Sequence, residues 1–298
     1  MMTMLADKPN SQIGGTVQIF DWVWQNQSYR VAYEVRGEGA PILLLPAFST
    51  VSTRSEMRGI AEQLAPHFQL IAMDWLGFGQ SDRPALDYQP IFYCQLLQDF
   101  VRARFDQPVA VIAAGHAAGY AMQVAGQNPW SKMVLVVPTW KGPLRVMGAS
   151  SRIRDAVREL VRSPGIGQAL YKLNTTTAFL KFMYRQHVYV DANKLTPDFM
   201  QQKYQITQQP GARFAPAAFV TGTLDPMASH EEFLQIGRSL CVPTMVVIGE
   251  QSPTQSIAEM AALAELPNVQ SVCLPGSLGL HEEYASEVAA FVLPFLQN

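Results

Sequence analysis

The chain is poor in cysteine, in charge and in long apolar runs. Its three cysteines, Cys94, Cys241 and Cys273, are odd in number and widely spaced, so they supply neither a disulfide framework nor a metal-binding spacing. Their apolar surroundings predict reduced core thiols in a reducing compartment. Charged residues make up 15% of the chain and the formal net charge is −2, which excludes a general attraction to nucleic acid or anionic lipid. No uninterrupted apolar run approaches the roughly 18 residues of a membrane helix. The opening Met-Met-Thr-Met-Leu-Ala-Asp-Lys-Pro-Asn lacks the apolar core of a signal peptide. These absences predict a cytoplasmic protein without metal or other cofactor, a loosely attached peripheral protein being the alternative.

What is present is material for a large core: 48% of the 298 residues are apolar, enough for one large domain or a domain with an insertion. Residues 1–15 read as a mobile tail. Val17–Trp24 and Ser28–Val35 are aromatic and β-branched around a short polar break, the pattern of a hairpin. Pro41–Pro46 is a continuous apolar run with the pattern of a strand buried on both faces, Phe68–Met73 reads as the next buried strand, and Lys132–Val137, Thr244–Ile248 and Val269–Leu274 read as further strands. Helical periodicity falls between them, at about Thr53–Leu64, Gln89–Phe105, Ser229–Leu240, Ser256–Leu266 and His281–Leu296. Alternating buried strands and helices predict an α/β fold with a mostly parallel, doubly wound sheet. The alternation lapses between Thr139 and about Met227, where helical patterns rich in Met, Phe, Tyr and Arg predict an inserted cap. The expected organisation is a core of residues 16–138 and 229–298, with a cap of 139–228.

The stretch Val109–Ala125 passes from a strand-like apolar run through a glycine-flanked turn into an alanine-rich helical segment. That is the form of a nucleophile elbow, G-x-S-x-G, which lifts one side chain above a sheet. The frame taken here is Gly115-His116-Ala117-Ala118-Gly119, with Ala117 at the apex. A shifted frame would not supply a nucleophile, because no Ser, Cys or Asp occurs between Asp106 and Ser131. With the loop Leu45-Pro46-Ala47-Phe48, the loop Asp74-Trp-Leu-Gly-Phe-Gly-Gln-Ser-Asp, the segment Val247-Ile-Gly-Glu-Gln-Ser-Pro and Gly279-Leu-His281-Glu, in that order, the chain resembles the α/β-hydrolase superfamily over nearly its whole length.

That resemblance implies an α/β-hydrolase fold and assigns roles position by position. Ala117 falls where the family has its attacking serine and cannot form an acyl-enzyme. Ser252 holds the place of the acid, with Glu250 two residues earlier as a substitute carboxylate. His281 matches the family's base; the bland reading is a surface residue opening a helix. The backbone N–H groups of Phe48 and Ala118 correspond to the oxyanion donors, which need no particular side chain. Ser49 sits at the pocket mouth and is a remote alternative nucleophile. His116 reads as a packed, hydrogen-bonded core histidine.

Nine basic residues against two acidic ones lie between Lys141 and Arg185. Within them Ser151–Arg162 is amphipathic, with Ile153, Ala156, Val157, Leu160 and Val161 on one face and Arg154, Arg158 and Arg162 on the other. The favoured reading is a cap helix whose apolar face lies on the sheet and whose arginines are solvated. The alternative is docking on a protein or a peripheral membrane site through Arg154, Arg158 and Arg162. Three functions remain open: a hydrolase-fold protein that binds a small apolar carbonyl- or carboxylate-bearing ligand under the cap without Ser-type hydrolysis; a hydrolase or lyase using His281 and the oxyanion hole; and an interaction protein that docks through its cap. Nucleic acid is excluded as a partner, since the basic residues carry no base-stacking motif.

Overall fold

In the computed structural model, which describes residues 11–127 and 129–298, the strands form one eight-stranded sheet in the order β1-β2-β4-β3-β5-β6-β7-β8. The strands are β1 Thr16–Trp24, β2 Gln27–Arg36, β3 Pro41–Leu45, β4 Gln69–Met73, β5 Val109–Ala114, β6 Trp130–Val136, β7 Thr244–Gly249 and β8 Val269–Leu274. β1 and β2 pair antiparallel as a hairpin, and β2 runs antiparallel to β4. From β4 to β8 every pairing is parallel, and the central strands β3, β5, β6 and β7 are buried along nearly all their length, as a sheet covered on both faces requires. This is the α/β-hydrolase fold.

Helices α1 Arg58–Leu64, α2 Pro90–Arg104 and α3 His116–Val124 alternate with the first strands. Helices α4 Pro143–Val146, α5 Ser151–Arg162, α6 Ile166–Leu173, α7 Thr177–Met183, α8 Pro197–Thr207 and α9 Phe214–Val220 lie in sequence between β6 and β7. Then come α10 His230–Arg238, α11 Thr254–Ala264, α12 Leu280–Glu283 and α13 Ala285–Gln297. The helix expected over Thr53–Leu64 begins as a tighter turn, Arg54–Met57, before α1. The single closing helix expected from His281 is broken at Tyr284, whose φ of −123° and ψ of 41° are not helical.

Three expectations change. Residues 1–10 lie outside the described residues, but Ser11 to Gly15 are anchored rather than mobile. Glu34, on buried β2, accepts hydrogen bonds from the Ser11 hydroxyl (2.7 Å) and from the N–H groups of Gln12 (2.7 Å), Ile13 (3.1 Å) and Gly15 (2.7 Å). Arg54 Nε donates to the same carboxylate at 3.0 Å. Burial raises the Glu34 pKa, but these donors outweigh it and pull the carboxyl down to about 2. Second, of the three free thiols only Cys94 is partly buried; Cys273 is exposed because β8 is an edge strand, and Cys241 because it lies in the loop between α10 and β7. Third, α5 is turned the other way round from its expected orientation, as described below.

The Asp74–Asp82 loop owes its residue pattern to hydrogen bonding. The Asp74 carboxylate accepts from the N–H of Arg54 (2.6 Å), from the N–H of Gln80 (2.8 Å) and from the Arg54 guanidinium. A Cβ at Gly79 would lie 2.1 Å from the Asp74 carboxyl carbon, so only glycine lets the carboxylate fold over the turn. Ser81 Oγ donates to the Asp74 carbonyl and accepts from the Ala32 N–H. The motif therefore latches the β4 exit to β2. Among the described residues no helix is long and apolar enough to cross a membrane, and no group of three or more His, Cys, Asp or Glu is arranged to hold a metal ion.

Candidate functional site

β5 ends at Ala114, paired with Val136 of β6. The next residue, Gly115, turns at φ 53° and ψ −127°, and α3 begins at His116. That positive-φ corner between strand and helix is the elbow apex. It falls on Gly115 and not on Ala117, which sits inside the first turn of α3 and is fully buried. The frame read from the sequence is thus displaced by two residues: Ala113-Ala114-Gly115-His116-Ala117 spans the bend, with alanines where the pattern has glycines. The apex still carries no nucleophile. A Cβ placed there would meet Ala47 Cβ at 3.0 Å and Thr139 Oγ1 at 3.8 Å. Thr139 is brought alongside by a second strained corner, Val137 at φ 43°, an unfavourable conformation for a β-branched residue.

The shift in frame also moves one oxyanion donor. The N–H of Ala118 is committed to the Gly115 carbonyl at 3.2 Å, whereas His116 occupies the first helical position, where an N–H has no acceptor within its own helix. His116, not Ala118, is the residue after the apex. On the opposite side, Phe48 is held by its ring, which packs against Trp75, Phe78, Tyr93 and Tyr120 at centroid distances of 5.0–5.3 Å. Trp75 Nε1 donates to the Pro46 carbonyl at 3.0 Å and Ser52 Oγ to the Ala47 carbonyl at 2.5 Å, which fixes this loop over the apex. Ser49 Oγ accepts from the Val51 N–H at 3.1 Å and so serves its own turn. His116 is buried and hydrogen-bonded, with Nδ1 2.9 Å from Thr139 Oγ1 and Nε2 3.3 Å from Asp225.

His281 is buried rather than a surface residue. Its Nε2 lies 3.3 Å from Glu56 Oε2, a carboxylate from the turn after β3 that no motif pairs with it. Lys203, from α8, reaches in to Glu282 at 2.8 Å and to Glu56 at 3.8 Å. Burial raises the Glu56 pKa, against the pull of Lys203 and His281. Burial also opposes the charge on Lys203, yet Glu282 and Glu56 together raise its pKa above that of an ordinary lysine. Ser252 stands buried at the acid's position, while Glu250 is exposed. Among the described residues neither Ser252 Oγ nor His281 Nδ1 has a hydrogen-bond partner. Imidazole and carboxylate are both present, but the carboxylate approaches the ring from a different element and at the other nitrogen from the one left free.

The cap is stitched to the loop that carries His281. The Gly279 N–H donates to the Val188 carbonyl at 2.9 Å, and Ser277 Oγ to the His187 carbonyl at 3.1 Å. The Glu283 carboxylate accepts from the N–H groups of Val190 (3.0 Å) and Asp191 (2.7 Å), and Lys194 Nζ donates to the Glu283 carbonyl at 2.5 Å. On the far side of the cap, the expected orientation of α5 is reversed. Arg154 donates to the Thr221 carbonyl (3.0 Å), Arg158 to Thr223 Oγ1 (3.2 Å) and Arg162 to the Leu86 carbonyl (2.5 Å). The arginine stripe turns inward, Arg154 and Arg158 onto the turn after α9 within the same insertion and Arg162 onto the loop before α2, where two carbonyl oxygens and a threonine hydroxyl accept from them. Ile153, Ala156 and Leu160 face solvent instead.

The crevice between the β3 loop and the cap, lined by Thr50, Ser52, Gly77, Arg83, Ile206 and Ala212 among others, has no room for a water molecule. A cleft of about 210 Å³ lies at the other end of β5, bounded by Phe105, Pro108 and Pro129, away from the elbow.

Comparison with known proteins places this geometry among relatives. The model described as "Alpha/beta hydrolase family" matches residues 42–291. An uncharacterized protein of Mycobacterium tuberculosis is 36% identical over 101 residues, which is 34% of this chain and 29% of that protein; the match thus spans under a third of that relative's length. The 2-hydroxy-6-oxo-6-(2'-aminophenyl)hexa-2,4-dienoic acid hydrolase of Metapseudomonas resinovorans is 30% identical over 35% of this chain and 37% of its own. The 2-(acetamidomethylene)succinate hydrolase of Mesorhizobium japonicum is 22% identical over 87% of this chain and 88% of its own. Among solved structures, a thermophilic esterase from Thermogutta terrifontis superposes with a TM-score of 0.72 at 17% identity, covering 95% of this chain and 98% of that one. At that identity the likeness shows the fold alone.

Proposed function

As the chain belongs to the alpha/beta hydrolase family, we propose that it keeps that family's ligand-holding site without Ser-type hydrolysis, binding a small apolar molecule that bears a carbonyl or carboxylate oxygen under the cap. The observation that carries this reading is Gly115. An apex without a side chain has no atom to form an acyl-enzyme, and neighbouring Ala47 occupies the room a Cβ would need. What remains suits binding. The His116 N–H opens a helix, where an anionic oxygen is favoured. His281 Nδ1 and Ser252 Oγ are buried without partners, and each such group costs about 1–3 kcal/mol until it finds one. The names of two relatives carry carboxylic acids, a dienoic acid and a succinate, which supports the carboxylate class. Native mass spectrometry against a panel of apolar acids and ketones tests the reading. A 1:1 complex lost in His281→Ala is expected. An active-site fluorophosphonate adduct on the unaltered chain, abolished by His281→Ala, would instead make it a working serine hydrolase.

A second reading rests on Glu56. A carboxylate 3.3 Å from His281 orients and stabilises an imidazole acting as general base on water or on an acidic C–H. Under this reading His281→Ala and Glu56→Gln both remove turnover, whereas a pure binder has none to remove.

A further inference from the structure

We propose that the outer face of the cap docks on an anionic lipid surface. Among the described residues twelve large apolar side chains are markedly exposed, and nine of them fall in residues 146–190, all in the cap. Met147 (78%), Ile166 (67%) and Leu173 (69%) are the most open of these, with Ile153, Leu160 and Phe182 near half exposed. Isolated exposed apolar side chains need no explanation, but a concentration on one insertion does. The reversal of α5 produces it: the helix spends its arginines on the protein interior and turns Ile153 and Leu160 outward, while α6, packed beside it, adds Ile166 and Leu173.

The charge around this face selects the occupant. Of the nine basic residues between Lys141 and Arg185, five turn inward: Lys141 to Glu259, Arg145 to Asp225, and Arg154, Arg158 and Arg162 to the groups named above. The other four, Arg152, Lys172, Lys181 and Arg185, are exposed, the first three each next in sequence to an exposed apolar residue, Ile153, Leu173 and Phe182. Against them stands exposed Asp155, Glu159 being paired with Arg158 and Arg162. The rest of the chain has 13 basic and 22 acidic residues, so the molecule is polarised, cap positive and body negative. A second copy would bring like charge against like charge at this face. Apolar side chains interleaved with lysine and arginine on short surface helices are what an interface of acyl chains and anionic headgroups accommodates. This inference does not depend on whether the site under the cap binds or turns over its ligand.

The test is flotation of the full chain with vesicles of phosphatidylcholine alone or with roughly a third phosphatidylglycerol, at about 0.1 M and about 0.5 M salt. Binding confined to the phosphatidylglycerol vesicles and weakened about tenfold or more by salt is expected. Ile166→Ser with Leu173→Ser, and separately Lys172→Glu with Lys181→Glu, should each reduce it about tenfold while leaving the melting temperature unchanged, since all four side chains are exposed. Binding equal on both vesicles, no binding to either, or variants that melt normally and float like the parent would overturn the proposal. So would sedimentation showing a dimer that Leu173→Ser dissolves, or an acidic protein captured in place of the vesicles.

Discussion

Placing a side chain at Gly115 tests the elbow assignment directly. At φ 53° and ψ −127° a non-glycine residue carries about 1–3 kcal/mol of backbone strain. An added Cβ also comes within 3.0 Å of Ala47 Cβ, and the β3 loop is pinned by Ser52 and Trp75, so the contact relaxes little and adds about 1 kcal/mol. Gly115→Ala should therefore destabilise by about 2–4 kcal/mol in denaturant titration, or roughly 4–8 °C in melting temperature. Adding Ala47→Gly removes the contact and should restore about 1 kcal/mol, leaving the backbone strain. The chemical version is Gly115→Ser with Ala47→Gly, treated with a fluorophosphonate probe: labelling should map to residue 115, and Ala117→Ser alone should remain unlabelled because its hydroxyl is buried within α3. Labelling at 117 but not at 115, or a Gly115→Ala variant as stable as the parent, would refute the assignment.

Lys203→Met leaves Glu56 and Glu282 near each other without their shared cation, and should destabilise by about 3 kcal/mol by chemical denaturation; adding Glu56→Gln should recover part of that loss. Glu34 is ionised far below the ordinary carboxylate range, so its contribution is fully present above the unfolded pKa of about 4.3 and fades as pH falls towards 2. Glu34→Gln should flatten the stability profile across that window and speed hydrogen exchange at Gln12, Ile13 and Gly15. Gly79→Ala drives a methyl into the Asp74 carboxylate and should abolish soluble expression or cost more than about 4 kcal/mol.

The centre of the sheet was legible because β3, β5, β6 and β7 are largely apolar runs, whereas edge strand β8, Val-Gln-Ser-Val-Cys-Leu, is mostly open to solvent. The Asp74–Asp82 loop was legible because its chemistry is local. The elbow was found but misframed: Gly115-x-x-x-Gly119 fits the pattern better by composition, and only the backbone angles show that the bend comes at the first of these glycines. A physical cue was present, since the apolar run stops at Ala114 and a strand continuing through His116 would bury an imidazole within the sheet. Glu56 was missed because 225 residues separate it from His281, and nothing in a lone glutamate announces such a partner. The orientation of α5 was misread for a general reason. Amphipathic spacing says that two faces differ, not which of them is inside, and the three arginines meet two carbonyl oxygens and a threonine hydroxyl that no periodicity reveals.

The stitching between His187–Lys194 and Ser277–Glu283 has a mechanical consequence. Five hydrogen bonds, together with the Lys203 ion pairs, couple that flank of the lid to the segment bearing the imidazole, so raising it would drag His281 out of register. On the opposite flank, α5 reaches the core through Arg162, which donates to the Leu86 carbonyl, and through the longer approaches of Arg158 and Arg162 to Asp87. Under the proposed binding reading, the His281 loop and this flank of the insertion stitched to it move together or not at all, so the imidazole keeps its position relative to the insertion.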